Sequence, residues 1–394
     1  MAIFTFTMHC NMPMNMKTHG KHKAHAIVYE SRCKEIDTNC VLSDFLDEYA
    51  DDDEDIPCLL QSHSEEEIPY VDWEKKWEWM SNSKCKKEFR FEKGMILEMQ
   101  GLLHIPHEII LENRSVVSGN LALCMMLKVL AYPTRLLSIV DFFGRCTSDC
   151  SRIISYTIKH VYLLTTDIMA WDTERLTPEV LEKYAGAVAE AGAPVKNCFG
   201  FIDGTVRGTA RPMKRQRVVY NGHKRKHALK YQSITAPDGL CIHLHGPQPG
   251  TRHDARMYRE SGLPQILEEC AYDTQGNSLC LYGDPAYGHS QNLIAPFGGA
   301  SLSREKEMFN RRMSRVRVSV EWTFGKVLQY FSYTDYTKNQ RLLQRPLGQQ
   351  YFVSMLLNNL HTCYFRTGSV VSHFKLEPPT AAEYLRNVKC IRSI

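Results

Sequence analysis

Residues 198–203 read Cys-Phe-Gly-Phe-Ile-Asp, an apolar run that ends on an acid and is followed by Gly204. Such a run predicts a buried strand with a carboxylate at its end. A second run of the same kind, Leu279-Cys280-Leu281-Tyr282-Gly283, ends on Asp284. Between the two, His227–Thr235 alternates, with Leu229, Tyr231, Ser233 and Thr235 on one face. Pro237-Asp238-Gly239 is a turn signal and Leu240–Leu244 alternates again, which predicts a hairpin. Helical spacing is expected over Asp254–Cys270, Arg304–Tyr330 and Gly348–Tyr364, the last rich in Phe352, Met355, Leu356, Leu357 and Leu360. Strand, hairpin, helix, strand, helix is the order of an α/β fold with a ribonuclease-H-like mixed sheet flanked by helices.

Upstream the pattern is helical. Met95, Leu97, Leu102 and Leu103 recur at helix-like spacing, and the run Leu121–Leu130 stops near Tyr132-Pro133, where proline interrupts a helix. Leu136–Phe143, a break at Gly144, and a second helix opening near Thr147-Ser148 have the spacing of a helix-turn-helix. The second helix of such a unit can enter a DNA major groove, and any small helical bundle has the same spacing. A helix is expected from Pro178 through Glu190, stopped by Gly192 and Pro194. The expected organisation is therefore a poorly ordered region over 1–90, a helix-turn-helix-like domain over 91–165, a connecting segment over 166–196, the sheet domain over 197–365 and a tail over 366–394. The cluster Trp73, Trp77 and Trp79 is an exception in the first region, open to either a local helix or a docking segment.

Charge is segregated. The net charge of +4 conceals an acidic run ending Asp51-Asp52-Asp53-Glu54-Asp55, and a stretch over 206–230 with nine Lys/Arg and no acid. This pattern suggests a solvated acidic tail and a core that meets a polyanion. The 14 cysteines lack any CxxC spacing, which favours reduced thiols in an intracellular protein, with a zinc site as the other reading. No apolar run reaches the length of a membrane span, and the first residues do not resemble a signal peptide, so no membrane partner is expected.

Asp203, Asp284 and Glu321 form the candidate catalytic and metal-binding set, two acids at strand ends and one on a helix. Mg²⁺ prefers hard oxygen ligands, and two ions about 3.5–4 Å apart supply what phosphodiester cleavage needs: an activated nucleophile, charge relief and a stabilised leaving oxygen. His253-Asp254 stands apart: Asp254 reads either as a cap for the following helix or as an auxiliary site residue.

Several ordered motifs resemble the Harbinger-type (PIF/Harbinger) transposases and the nucleases derived from them, within the DDE superfamily. They are Phe201-Ile202-Asp203-Gly204-Thr205, Tyr220-Asn221-Gly222-His223-Lys224-Arg225-Lys226-His227, Pro249-Gly250-Thr251-Arg252-His253-Asp254, Gly283-Asp284-Pro285-Ala286-Tyr287 and Val320-Glu321-Trp322-Thr323-Phe324-Gly325. The resemblance covers about residues 95–365, with Pro285-Ala286 where many relatives have Ser and Gly. It implies a DNA endonuclease or transposase with an acidic triad at Asp203, Asp284 and Glu321 and two Mg²⁺ (or Mn²⁺) ions. It also implies a nuclear location and a separate Myb-like DNA-binding partner; a homo-oligomer is a further expectation.

DNA is the expected polyanion. Candidate contacts are Arg207, Arg211, Lys214, Arg215, Arg217, Lys224, Arg225, Lys226 and Lys230 beside the first strand, and Arg311, Arg315 and Arg317 before Glu321. A solvated positive loop has the same composition. Arg317 and Glu321, four apart on a helix, share a face, so Arg317 reads as an orienting residue, a phosphate contact or a simple helical ion pair.

Overall fold

A computed structural model describes residues 69–388 apart from Glu112 and Arg215; the expectations for the acidic run and for the order of residues 1–68 lie outside the described residues. Helices begin earlier than position 91. α1 (Trp73–Trp79) and α2 (Asn82–Phe89) are capped by the side chains of Asp72 and Ser81. Trp73 and Trp77, four apart, bury their rings, and Trp73 lies 4.9 Å from Phe143. Burial of these aromatics, rather than local periodicity, makes this segment helical.

α3 (Lys93–Leu102) leads to a small antiparallel pair, β1 (Glu108–Ile110) and β2 (Val116–Ser118), and then to α4 (Gly119–Ala131). α5 (Leu136–Phe143) ends on Gly144 in the left-handed region, and α6 (Thr147–Trp171) follows with Cys146, not a Ser or Thr, at its cap. Most of the C-terminal half of α6 is buried, and the helix packs on α4 and on the sheet. α7 (Pro178–Glu190) occupies the expected span.

The sheet begins with β3 (Cys198–Gly208), which runs five residues past Asp203. α8 (Gln216–Val219), β4 (Tyr220–Asn221), β5 (Lys226–Thr235) and β6 (Cys241–Pro249) follow. The expected helix over 254–270 is two helices, α9 (Asp254–Glu260) and α10 (Leu263–Cys270), because Gly262 takes a φ of 71° and Pro264 starts the second. β7 (Cys280–Tyr282) and β8 (Leu293–Ile294) complete the sheet. β3 is central, antiparallel to β5 on one side and parallel to β7 on the other; β8 extends the parallel side, and β6 and β4 pair with β5. This mixed sheet is compatible with a ribonuclease-H-like fold.

α11 (Arg304–Tyr330) and α12 (Leu347–Phe365) flank the sheet, α12 almost wholly buried. The stretch expected as a tail packs on the fold through α13 (Ser369–Phe374) and α14 (Ala381–Tyr384), the latter held by a Thr380–Glu383 capping box. Tyr384 is fully buried; its hydroxyl accepts from Asn359 Nδ2 at 2.8 Å and lies 3.3 Å from Met169 Sδ. Next to it, Arg175 donates to the Tyr184 hydroxyl at 3.2 Å, and that hydroxyl donates to Asp238 in the β5–β6 turn. Asn387 reaches Asp172 at 3.0 Å. Among the described residues, no helix is long and apolar enough to cross a membrane.

Candidate active site

β3 and β7 run parallel with Phe201 opposite Tyr282. Asp203 and Asp284 each lie two residues beyond that pair. Side chains two apart on a strand return to the same face, and neighbouring strands are about 4.8 Å apart, so the topology sets the two carboxylates side by side. Gly283 permits the close approach: a Cβ there would meet Ile202 Cγ2 and Tyr287 Cδ2, both at 3.0 Å.

Each carboxylate is fixed by its own backbone. Asp203 Oδ1 accepts from the Gly204 amide at 2.9 Å. Asp284 caps the short 3₁₀ turn Pro285–Tyr287 by accepting from the Ala286 amide at 2.9 Å. Burial pushes the Asp203 carboxyl up to about 6; Arg317 pulls it down, and the charge of Asp284 pushes it further up. Arg317, on α11, places Nη2 2.9 Å from Asp203 Oδ2. Its guanidinium is committed neither to Glu321 nor to free solution; it neutralises the central aspartate.

Asp254 lies on the other flank of Asp203. Its Oδ1 sits where a Cβ on Gly204 would fall, 2.6 Å away. It does not cap α9, where His253 holds the cap position without a side-chain bond. Instead Oδ1 pairs with Lys230 Nζ at 2.8 Å, and that ammonium also donates to the Arg252 carbonyl at 2.8 Å. His253 is exposed. Tyr287 is buried under this group, its phenol held well above the ordinary range by burial and then by Asp254, Asp203 and Asp284.

Glu321 is not part of this cluster. It is exposed on α11, one turn and about 6 Å of rise beyond Arg317. Among the described residues, no three His, Cys, Asp or Glu side chains stand close enough together to hold a metal ion. The donor chemistry at Asp203 and Asp284 nevertheless fits a hard divalent cation: two adjacent oxygen donors repel each other, and the Arg317 guanidinium stands in as the positive charge between them and the helix. The fit is to a two-aspartate seat, which Glu321 does not join in this structure.

The basic residues divide into two groups. Arg207 and Lys230 face inward. Arg207 donates to Thr205 Oγ1 at 2.6 Å, lies 3.7 Å from Asp335 and covers the Tyr351 ring, so neither it nor Lys230 presents its charge to a phosphate. Arg211, Lys214, Arg217, Lys224, Arg225 and Lys226 are exposed on the segment between β3 and β5, as are Arg311 and Arg315 on α11. Arg215 lies outside the described residues. Residue-type reasoning missed Tyr287, the Lys230–Asp254 pair and the Arg317–Asp203 pair. The first had a signal, since Tyr287 follows Asp284 by one short turn.

No curated protein and no solved structure matched the chain. Residues 202–361 match the family described as DDE superfamily endonuclease, which supports that superfamily for the segment carrying Asp203, Asp284 and Glu321.

Proposed function

We propose that the chain is a divalent-metal-dependent DNA endonuclease or transposase of the Harbinger type, with Asp203, Asp284 and Glu321 as its catalytic and metal-binding acids. The observation that carries this reading is the position of Asp203 and Asp284, each two residues past the paired Phe201 and Tyr282 of neighbouring parallel strands, inside the matched segment. Two Mg²⁺ or Mn²⁺ ions held there would activate a water nucleophile and relieve charge at the scissile phosphate and leaving oxygen. Asp203 must be ionised to bind them, so Arg317 has to release Oδ2. Freed, its guanidinium is placed to take a phosphate oxygen. To complete the set Glu321 would have to approach the aspartates from its exposed position on α11.

The exposed Lys224-Arg225-Lys226 segment leads into β5, at the end of the sheet toward which β3 runs from Asp203. Gly208, five residues and about 17 Å beyond Asp203, pairs with Ala228. Duplex DNA laid along this edge would place its backbone against both that segment and the acids. The helix pair α5–α6 is a candidate for a second DNA contact, and the same reading carries a nuclear location, a Myb-like partner and self-association.

A second reading, a DNA-binding or adaptor protein that does not cut, draws on one feature: Arg317 occupies Asp203 while Glu321 stands apart. Incubation of purified protein with supercoiled plasmid and Mg²⁺ or Mn²⁺ separates the two. Nicking that Asp203→Asn and Glu321→Gln both abolish supports the enzyme. Its absence with either ion, while DNA is still bound, supports the adaptor. RNA and hybrid substrates in the same assay test a related hydrolase specificity.

A further inference from the structure

Beyond the acids, α11 lines a second concavity. A cleft of about 460 Å³ opens between α11, the end of α12 and the loop into α13, with Trp322, Lys326, Thr362, Thr367, Gly368 and Ser369 among its walls. Lys326 lies deep in it. Its ammonium donates to Thr362 Oγ1 at 2.7 Å, and that hydroxyl is itself committed to the Asn358 carbonyl at 3.0 Å. The Tyr330 ring stands 6.0 Å away. Among the described residues no carboxylate pairs with this ammonium. Glu321 also lines the cleft, five residues earlier and rotated about 140° around the helix. The backbone of Gly368 closes over the charge without a side chain: a Cβ there would lie 3.8 Å from Nζ.

A desolvated ammonium with one neutral partner is costly and is stabilised by a counter-ion. We infer that the Lys326 cleft is a seat for a phosphate group, and that in the intact assembly this group belongs to the backbone of a bound DNA strand. Burial lowers the Lys326 ammonium to about 8, which leaves it charged near neutrality while marking the strain that an anion would relieve. Nine residues of α11 separate Lys326 from Arg317, about 13.5 Å of rise. The same nine residues turn the helix by about 180°, so Lys326 and Arg317 leave opposite faces, and a phosphate at Lys326 belongs to a different stretch of backbone from one at Asp203. The source of the phosphate rests on the endonuclease reading; the seat itself does not.

The test compares wild type with Lys326→Met, Lys326→Arg and Gln329→Glu, the last setting an acid on an exposed residue of the cleft wall without touching the core. Thermal unfolding is followed against inorganic phosphate, with chloride at matched ionic strength as control. Binding of a labelled duplex and of a 5′-phosphorylated single strand is followed by anisotropy in chelator. Phosphate should raise the melting temperature of wild type and Lys326→Arg only. Duplex affinity of Lys326→Met and Gln329→Glu should fall at least fivefold, with the log–log salt slope smaller by about one. Loss of the phosphate effect with unchanged duplex binding keeps the seat and assigns it to a free phosphate ligand. Equal phosphate and DNA responses in all four proteins overturn the inference. Plasmid nicking by wild type, run in parallel, reports on the endonuclease reading separately, since phosphate binding requires no catalysis.

Discussion

Replacing Asp203 by Asn should make the metal-free protein more stable at neutral and alkaline pH. The Asp203 carboxyl rises from 3.8 to about 6 on folding, a difference of about 3 kcal/mol between its protonated and ionised forms. The pull of Arg317 is already included in that balance. A raised carboxyl favours the native state while it is protonated. Below about pH 4 both folded and unfolded chains carry the proton and the native state bears no penalty. Between about pH 4 and 6 the unfolded chain loses its proton first, so native stability declines, and above about pH 6 the full penalty applies. The asparagine amide cannot ionise. In chelator at pH 8 the Asp203→Asn variant should therefore exceed wild type by about 2–3 kcal/mol, less whatever the unpaired Arg317 costs, and the two should converge near pH 4. Urea unfolding followed by tryptophan fluorescence measures this. Mg²⁺ then reverses the order: at a hundredfold excess over its dissociation constant it should stabilise wild type by about 2.7 kcal/mol and the Asp203→Asn variant by much less. Equal stabilities at pH 8, or equal stabilisation of both proteins by Mg²⁺, would refute the account of a strained two-aspartate seat.

Arg317→Met removes the competing cation from Asp203 and should tighten Mn²⁺ binding by up to roughly tenfold in calorimetry, while weakening DNA binding; an unchanged Mn²⁺ affinity would dismiss the competition. Gly204→Ala sets a methyl 2.6 Å from Asp254 Oδ1, so unfolding in urea should become easier by about 1–3 kcal/mol and the Lys230 pair should loosen. The same substitution in an Asp254→Ala background should cost markedly less. Alanine at Lys224, Arg225 and Lys226 together should lower the log–log salt dependence of DNA binding by about two to three while leaving the melting temperature nearly unchanged, because all three are exposed.

The strands were legible because their signals are local. Apolar runs ending at Asp203 and Asp284, the alternation of His227–Thr235 and the Pro237-Asp238-Gly239 turn announce themselves in a few residues each. Parallel pairing of the two runs then brings their acids together. The continuation of β3 to Gly208 was hidden by Arg207, whose charge reads as surface. Its inward course depends on Asp335 and Tyr351, more than a hundred residues away. Lys230 was misleading for the same reason, since its partner Asp254 comes from the helix after β6, 24 residues later. Helical spacing placed Arg317 and Glu321 on one face, but the phase of α11 against the sheet, which sets Arg317 on Asp203, is decided by long-range packing. The Trp73 and Trp77 helix was open from sequence because its partners, Phe142 and Phe143, come from a different helix.

The polar cluster around Arg175 bears on how the protein can be handled. Asp238 belongs to the β5–β6 hairpin, whereas Arg175 and Tyr184 come from before the first strand of the main sheet, and Tyr384 from near the end of the described chain. A fragment cut to residues 202–361 would begin inside β3, lose Arg175 and expose the place vacated by α6, leaving Asp238 interior without its cation. Separating such partners typically costs about 3–5 kcal/mol, a large part of a whole protein's margin. Soluble expression, domain exchange and activity assays should therefore start at or before Trp73 and run through residue 388, and an inert shorter piece would report a broken scaffold rather than a missing chemistry.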